Sequence, residues 1–231
     1  MQPDVELYFD PVCPFCWQTS KWLRQVQRIK GLAVGYRFIS LRMLNEPIGY
    51  DDAPAAYEQV HVQGTRLLRV CAATRRAHGN GSVEVLYQQL GQSLWEIDPP
   101  DPAGGFDAIL EVQAEGIDIE AALTAADLPT SLAEAADTET YDQLIREETD
   151  AALERAGSDV GTPILSFDPP DGPAFFGPVI SDLPDDETAV DYYESIRKLA
   201  NWRGFAELKR SLRTMPDTKM LAGLRDGGTE S

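Results

Sequence analysis

Two cysteines two residues apart, Cys13-Pro14-Phe15-Cys16, follow the apolar run Val5-Glu6-Leu7-Tyr8-Phe9 and open a helical pattern beginning at Trp17. A buried strand that ends in such a pair and passes directly into a helix leaves few architectures open. It also puts the first cysteine at a helix N-terminus, where unpaired backbone N–H groups and the macrodipole favour negative charge. A cysteine there ionises more readily than a free one, and the thiolate is the nucleophile. Each pKa unit gained corresponds to about 1.4 kcal/mol in favour of the reactive form.

The 231 residues suit one core domain with a large insertion. The chain contains no run of 18 apolar residues, which predicts a soluble protein without a membrane span. Met1-Gln2-Pro3-Asp4 shows neither a basic nor an apolar export region, so a cytoplasmic location is expected. A net charge of −18, with basic residues scattered along the chain, disfavours nucleic acid and points to small molecules or proteins as partners. Three cysteines are too few for a secreted disulfide scaffold, and Cys71 is the odd one.

Residues 4–10 read as a buried strand, Pro14 to about Ile29 as a helix ended by Gly31, and 32–41 as a second strand. Gly31 marks the connection of a parallel, right-handed βαβ crossover. After a loop at 45–54 come about a hundred residues of helical periodicity. The expected helices are 57–78, 82–96, 105–115, 118–126 and 131–156, separated by Gly and Pro clusters. From Val160 strand signal returns over Gly161 to Phe167 and then over Ala174 to Gly177, joined by a turn rich in Asp, Pro and Gly. A closing helix or helix pair spans 187 to about 212, with a break near Trp202-Arg203-Gly204. The expected organisation is a discontinuous α/β core of 1–52 and 158–215, a helical subdomain of 53–157, and a disordered tail of 216–231.

A C-x-x-C is also half a zinc site, with Cys71, His61 and His78 as further candidate ligands. The strand before the pair and the helix after it favour the redox reading, with no metal, and assign Cys13 and Cys16 as catalytic. Thr162-Pro163 opens the returning strand. It reads either as an edge marker or as a cis peptide that sets the Thr162 backbone beside the dithiol to pair with an extended substrate. Trp17 is expected to turn inward, while Pro14 and Phe15, on the exposed turn, contact substrate. Tyr8, Phe9, Phe175 and Phe176 are expected in the sheet core. Asp10 and Glu6 are the strand carboxylates available for proton relay; the competing readings are a solvated strand end and a paired polar residue. Cys71 reads as a small buried side chain and His78 as a helix C-terminal cation.

The chain resembles the DsbA-like thioredoxin superfamily, and within it the mycothiol-dependent reductases of the nitroreductase type. The resemblance is carried by Phe9 through Trp17, Ser40 through Glu46, Ala77-His78-Gly79, Val160-Gly161-Thr162-Pro163, Ala174 through Val179, and Phe205 with Glu207 through Arg210. It implies a thioredoxin-like fold with a large helical insertion between its βαβ and ββα halves. It also implies that Cys13 attacks, that Cys16 resolves or supports the thiolate, and that mycothiol or another small thiol is the reducing co-substrate, with no tightly bound cofactor. Substrates would be disulfides or small electrophiles, protein disulfides among them. The family has tryptophan where this chain has Phe15, and a shorter turn before Phe175. The alternatives are a DsbA-type protein disulfide oxidase or isomerase, a glutathione-linked transferase or isomerase of the kappa group, which has serine at the nucleophile position, and a non-catalytic redox sensor or metal-binding module.

Overall fold

The computed structural model describes residues 2–99, 101, 104–211 and 214–225. Strand β1 (Val5–Phe9) leads through the cysteine pair into helix α1 (Pro14–Lys30), and β2 (Val34–Phe38) returns parallel to β1. Strands β3 (Ile164–Phe167) and β4 (Ala174–Phe176) add antiparallel, so the sheet order is β2-β1-β3-β4. That connectivity, with α1 and the late helix α8 (Asp186–Ala200) packed together, is the thioredoxin-like fold. Between β2 and β3 the chain supplies α2 (Leu41–Asn45), α3 (Tyr57–His78), α4 (Asn80–Trp95), α5 (Gly105–Glu115), α6 (Ile119–Ala125) and α7 (Asp142–Ala156).

The alternation of β1 divides the core. Val5, Leu7 and Phe9 join the large cluster containing Trp22 and Leu23 of α1 and Tyr87 of α4, whereas Tyr8 packs with Ile39, Ala152 and Ile164 on the opposite face. Helix α1 ends at Gly31, whose φ of 71° is a left-handed cap that returns its N–H to the Gln27 carbonyl. Gly172 closes the β3–β4 turn where an added Cβ would lie 1.9 Å from the Phe167 carbonyl oxygen, a position only glycine fills.

Strand β2 is an edge strand, and side chains of the helical region occupy its outer face. Asn80 Oδ1 accepts the Tyr36 N–H at 2.8 Å, and its Nδ2 donates to the Tyr36 carbonyl at 2.7 Å. Glu148 accepts the Phe38 N–H at 2.8 Å, and Thr149 the Ser40 N–H at 3.1 Å. Groups that would otherwise template another strand are thereby paired.

Several expectations are corrected. The helix expected over 131–156 is a 3₁₀ segment, Thr130–Asp137, followed by α7 from Asp142. Thr138 between them is extended, at φ −123° and ψ 143°. Asp137-Thr138-Glu139-Thr140 has weak helix propensity, and Arg66 and Arg69 hold the Asp137 and Asp142 carboxylates on either side of the break. Helix α4 starts at Asn80, two residues early, because the break falls on Gly79 with φ 87°. Of the helix or helix pair expected over 187 to about 212, only α8 forms among the described residues. The Trp202–Phe205 turn ends helical winding, and Phe205 stacks on Phe175 instead.

The tail expected to be disordered from 216 is packed through residue 225, while 226–231 lie outside the described residues. Met220 and Leu221 are each 1% exposed, and a short helix, α9, spans Ala222–Arg225. Burying two large apolar side chains contributes several kcal/mol, about 1.5–3 each, which offsets part of the entropy of ordering the segment.

Asn80→Ala is expected to cost about 1–3 kcal/mol in a urea unfolding titration, because the Tyr36 peptide groups lose both partners at a half-covered edge. An unchanged midpoint would mean that water replaces the amide without loss.

Candidate active site

The site is built on a turn. The Cys13 N–H donates to the Asp10 carbonyl at 3.0 Å, closing a β-turn over Asp10-Pro11-Val12-Cys13 with proline at its second position. The Asp10 carboxylate adds a second tie, accepting the Val12 N–H at 3.1 Å through Oδ1. Its Oδ2 accepts the Leu41 N–H at 2.8 Å, which links the turn to the start of α2. Asp10 is fully buried, so it is not a solvated strand end. Burial pushes its carboxyl up to about 7, against the two backbone hydrogen bonds that lower it.

Cys13 is the N-cap of α1 and Pro14 fills the first helical position, where its missing N–H costs nothing. The Cys13 Sγ accepts the Cys16 N–H at 3.4 Å, in place of the oxygen of an ordinary cap. The Thr162 hydroxyl donates to the same sulfur at 3.1 Å, and the Thr162 carbonyl lies 3.9 Å from it. The Thr162–Pro163 peptide is cis. Cys13 is 5% exposed and Cys16 is fully buried; both are free thiols, as is the buried Cys71.

These contacts separate the two sulfurs electrically. Burial alone would raise the Cys13 thiol. Hydrogen bonds from the Cys16 thiol, the Thr162 hydroxyl and the Cys16 N–H outweigh it and bring Cys13 below the ordinary thiol range, with the Asp10 charge opposing them. Cys16 is held well above that range, first by burial, then by its hydrogen bond to Cys13 and the charge there. A neutral thiol is a weak acceptor, so two donors aimed at one sulfur are satisfied best by a thiolate.

Helices from the long insertion enclose the turn. Gly64 of α3 lies so close that an added Cβ would sit 2.6 Å from Asp10 Oδ1 and 2.8 Å from a Val12 methyl. Gly91 of α4 packs on the Trp17 ring, where a Cβ would sit at 2.2 Å. Tyr57 of α3 is pushed up by burial and then by the Cys13 charge, which places its phenol within the electrostatic reach of the sulfur. One turn along α3, His61 Nδ1 and the Tyr50 hydroxyl are paired at 2.8 Å, and burial lowers His61 to about 4, so the ring is neutral near pH 7.

The structure therefore brings together Cys13, Cys16, Pro14, Phe15, Asp10, Thr162 and Pro163, with Phe15 half-buried and Trp17 fully buried. It does not bring Glu6 to them. Glu6 lies four residues back along β1, about 13 Å at an ordinary strand rise. It is ion-paired there with Arg37 at 3.4 Å and Arg155 at 3.9 Å. Phe176, expected in the core, is 40% exposed, its ring 3.7 Å from where a Gly161 Cβ would be. Sequence reasoning missed Tyr57, Gly64 and Gly91, since a helical pattern carries no sign of which face meets a strand end far away in the chain.

A C-x-x-C turn capped by its own first cysteine, on this sheet and beside a cis-proline loop, defines a thioredoxin-like protein of the DsbA-like type with a helical insertion. More particularly, the chain belongs to the Rv2466c-like family, described as that of the mycothiol-dependent nitroreductase Rv2466c, whose model matches residues 12–210. It is 29% identical over 220 residues to the uncharacterized protein Rv2286c of Mycobacterium tuberculosis (strain ATCC 25618 / H37Rv), covering 94% of this chain and 86% of that one. Among solved structures it is similar to 2-hydroxychromene-2-carboxylate isomerase, at 16% identity and a TM-score of 0.43 over 84% of this chain and 95% of that one. Among the described residues, no helix is long and apolar enough to cross a membrane.

Two outcomes test the electrostatics. Thr162→Val keeps the shape and removes the hydroxyl donor, so the pH midpoint of Cys13 alkylation is expected to rise by about one unit. An unmoved midpoint means that the hydroxyl does not hold the thiolate. The Asp10 carboxyl, raised on folding, contributes stability that is present below about pH 4 and lost as pH climbs through about 7. The unfolding free energy of Asp10→Asn, measured against the parent, is therefore expected to gain on it across that range; a constant difference would place the titration elsewhere.

Proposed function

We propose that this protein is a thiol–disulfide oxidoreductase whose Cys-Pro-Phe-Cys dithiol reduces disulfides or small electrophilic acceptors and is itself restored by mycothiol. The observation that carries the reading is the Cys13 sulfur at the N-terminus of α1, receiving the Cys16 N–H at 3.4 Å and the Thr162 hydroxyl at 3.1 Å. Its family, defined by a mycothiol-dependent nitroreductase, supports the thiol as co-substrate.

The Cys13 thiolate attacks one sulfur of a substrate disulfide, forming a mixed disulfide and releasing the other half as a thiolate. Cys16, once deprotonated, attacks the Cys13 sulfur, releases the second thiol and closes the Cys13–Cys16 disulfide. The substrate has gained two electrons and two protons. Two thiols of the small co-substrate then reopen the ring and leave as their own disulfide. Cys16 is held protonated by burial and, beyond that, by its hydrogen bond to Cys13 and the charge there; the mixed disulfide removes the Cys13 charge, which orders the two attacks. Asp10, carrying a carboxyl near neutrality beside the turn, is the candidate acceptor of the Cys16 proton. Phe15, Thr162 and Pro163 form the substrate-facing wall, with the Thr162 backbone available to an extended substrate. Such a cycle suits a reducing cytoplasm with a small-thiol pool.

Cys13→Ser is expected to reduce thiol-coupled turnover to background while the fold persists. Cys16→Ser is expected to accumulate a Cys13 mixed disulfide visible by mass. Turnover of a disulfide and of a nitroaromatic acceptor, with mycothiol, glutathione and thioredoxin compared as electron sources, identifies the co-substrate. Full activity of Cys13→Ser removes the dithiol from the mechanism, and an oxidising potential near −120 mV, about that of DsbA, would point to a protein oxidase instead.

A further inference from the structure

The last turn of α4 grips the cysteine turn on both sides. Before it, the Trp95 indole N–H donates to the Pro11 carbonyl at 3.1 Å, 84 residues away in sequence and fully buried. After it, the Glu96 carboxylate accepts the Trp17 indole N–H at 2.8 Å and the Lys21 ammonium at 2.9 Å. Pro11 is two residues before Cys13, and Trp17, the residue after Cys16, donates its own backbone N–H to the Cys13 carbonyl at 3.1 Å.

The first contact has a specific consequence. In a β-turn the peptide joining the two central residues can rotate by about half a turn, which interchanges the type I and type II forms. Here that unit is the Pro11–Val12 peptide. Its carbonyl is held by Trp95 and its N–H by the Asp10 carboxylate at 3.1 Å, so both ends of the plane are pinned. The residue delivered by the turn is Cys13. The grip is itself seated by the C-terminal segment: the Met220 N–H donates to the Trp95 carbonyl at 3.1 Å, the Lys219 backbone hydrogen-bonds Glu96, and Lys21 also donates to the Asp217 carbonyl at 3.0 Å.

We propose that Trp95 and Glu96 are positioning residues for the Cys13 thiol, fixing the Pro11–Val12 peptide and the first turn of α1 so that the sulfur stays on its Cys16 and Thr162 donors. The proposal rests on the dithiol reading above and adds to it residues from the inserted helices. The titratable groups coupled to Cys13 are Cys16 and Asp10 from the core, Tyr57 from α3 and Tyr87 from α4; Trp95 carries no charge, so its effect is geometric.

The test is the pH dependence of Cys13 alkylation by iodoacetamide, followed by mass, in Trp95→Phe and Glu96→Ala, with the parent and Cys13→Ser alongside. Trp95→Phe keeps an aromatic filler and removes the indole N–H. Its alkylation midpoint is expected to rise by about half a unit or more, leaving roughly threefold less thiolate below the midpoint. Glu96→Ala is expected to move it in the same direction by less. The side chain of Glu96 is 19% exposed, so this variant decides the matter if Trp95→Phe does not fold. Folded variants that alkylate with the parent's midpoint overturn the positioning role while leaving the dithiol mechanism intact. Undiminished turnover in Cys13→Ser, by contrast, overturns the mechanism itself.

Discussion

Everything at the centre of this molecule depends on a sulfur atom serving as a helix cap. An N-cap side chain normally offers oxygen to the free N–H groups of the first turn, and sulfur in its neutral form accepts poorly. With the Cys16 N–H and the Thr162 hydroxyl both directed at Cys13, the protein meets its hydrogen-bonding requirements best when that sulfur is ionised. Ionisation of the thiol and initiation of the helix are thus one interaction. The neighbouring Cys16 is kept neutral first by burial, then by its hydrogen bond to Cys13 and the charge there.

Asp10 shows how closely the scaffold and the site share parts. Its two carboxylate oxygens tie the β1–α1 turn to the beginning of α2, so one buried side chain orders both the approach to Cys13 and the exit from β2. Two backbone donors are not enough to hold a buried carboxylate at its ordinary acidity, and burial leaves it titrating near neutrality.

The inserted helices are part of the wall of the site. Gly64 and Gly91 let α3 and α4 approach the turn to distances that any side chain would prevent, and α4 then contributes polar contacts at its end. The same region blocks the β2 edge through Asn80, Glu148 and Thr149. Insertion and core are consequently joined by backbone-directed hydrogen bonds as well as by apolar packing, which ties the order of the dithiol to the order of the helices around it.

Local geometry was legible in the residues themselves. The spacing of the cysteines, the strand before them, Pro14 at the helix start and Gly31 at its end each act within a few residues, where periodicity and backbone stereochemistry are decisive; the cis Thr162–Pro163 peptide was one of two readings of that pair, and its contact with Cys13 spans most of the chain. The helices from α3 to α7 were legible as well, save where Arg66 and Arg69 hold acidic partners across a break; α2 falls where a strand end and a loop were expected, and in the core the Trp202 turn stands where a second closing helix was one of the readings. What remained hidden depended on contacts between distant segments: Glu6 drawn away to Arg37 and Arg155, Phe176 left at the surface, Met220 buried in a stretch that reads as a loose tail, and Trp95 aimed at the Pro11 carbonyl. A one-dimensional pattern records which face of an element is apolar and where it stops; which other element meets that face, and which polar atom completes its partner's hydrogen bonds, is settled only when the whole chain packs.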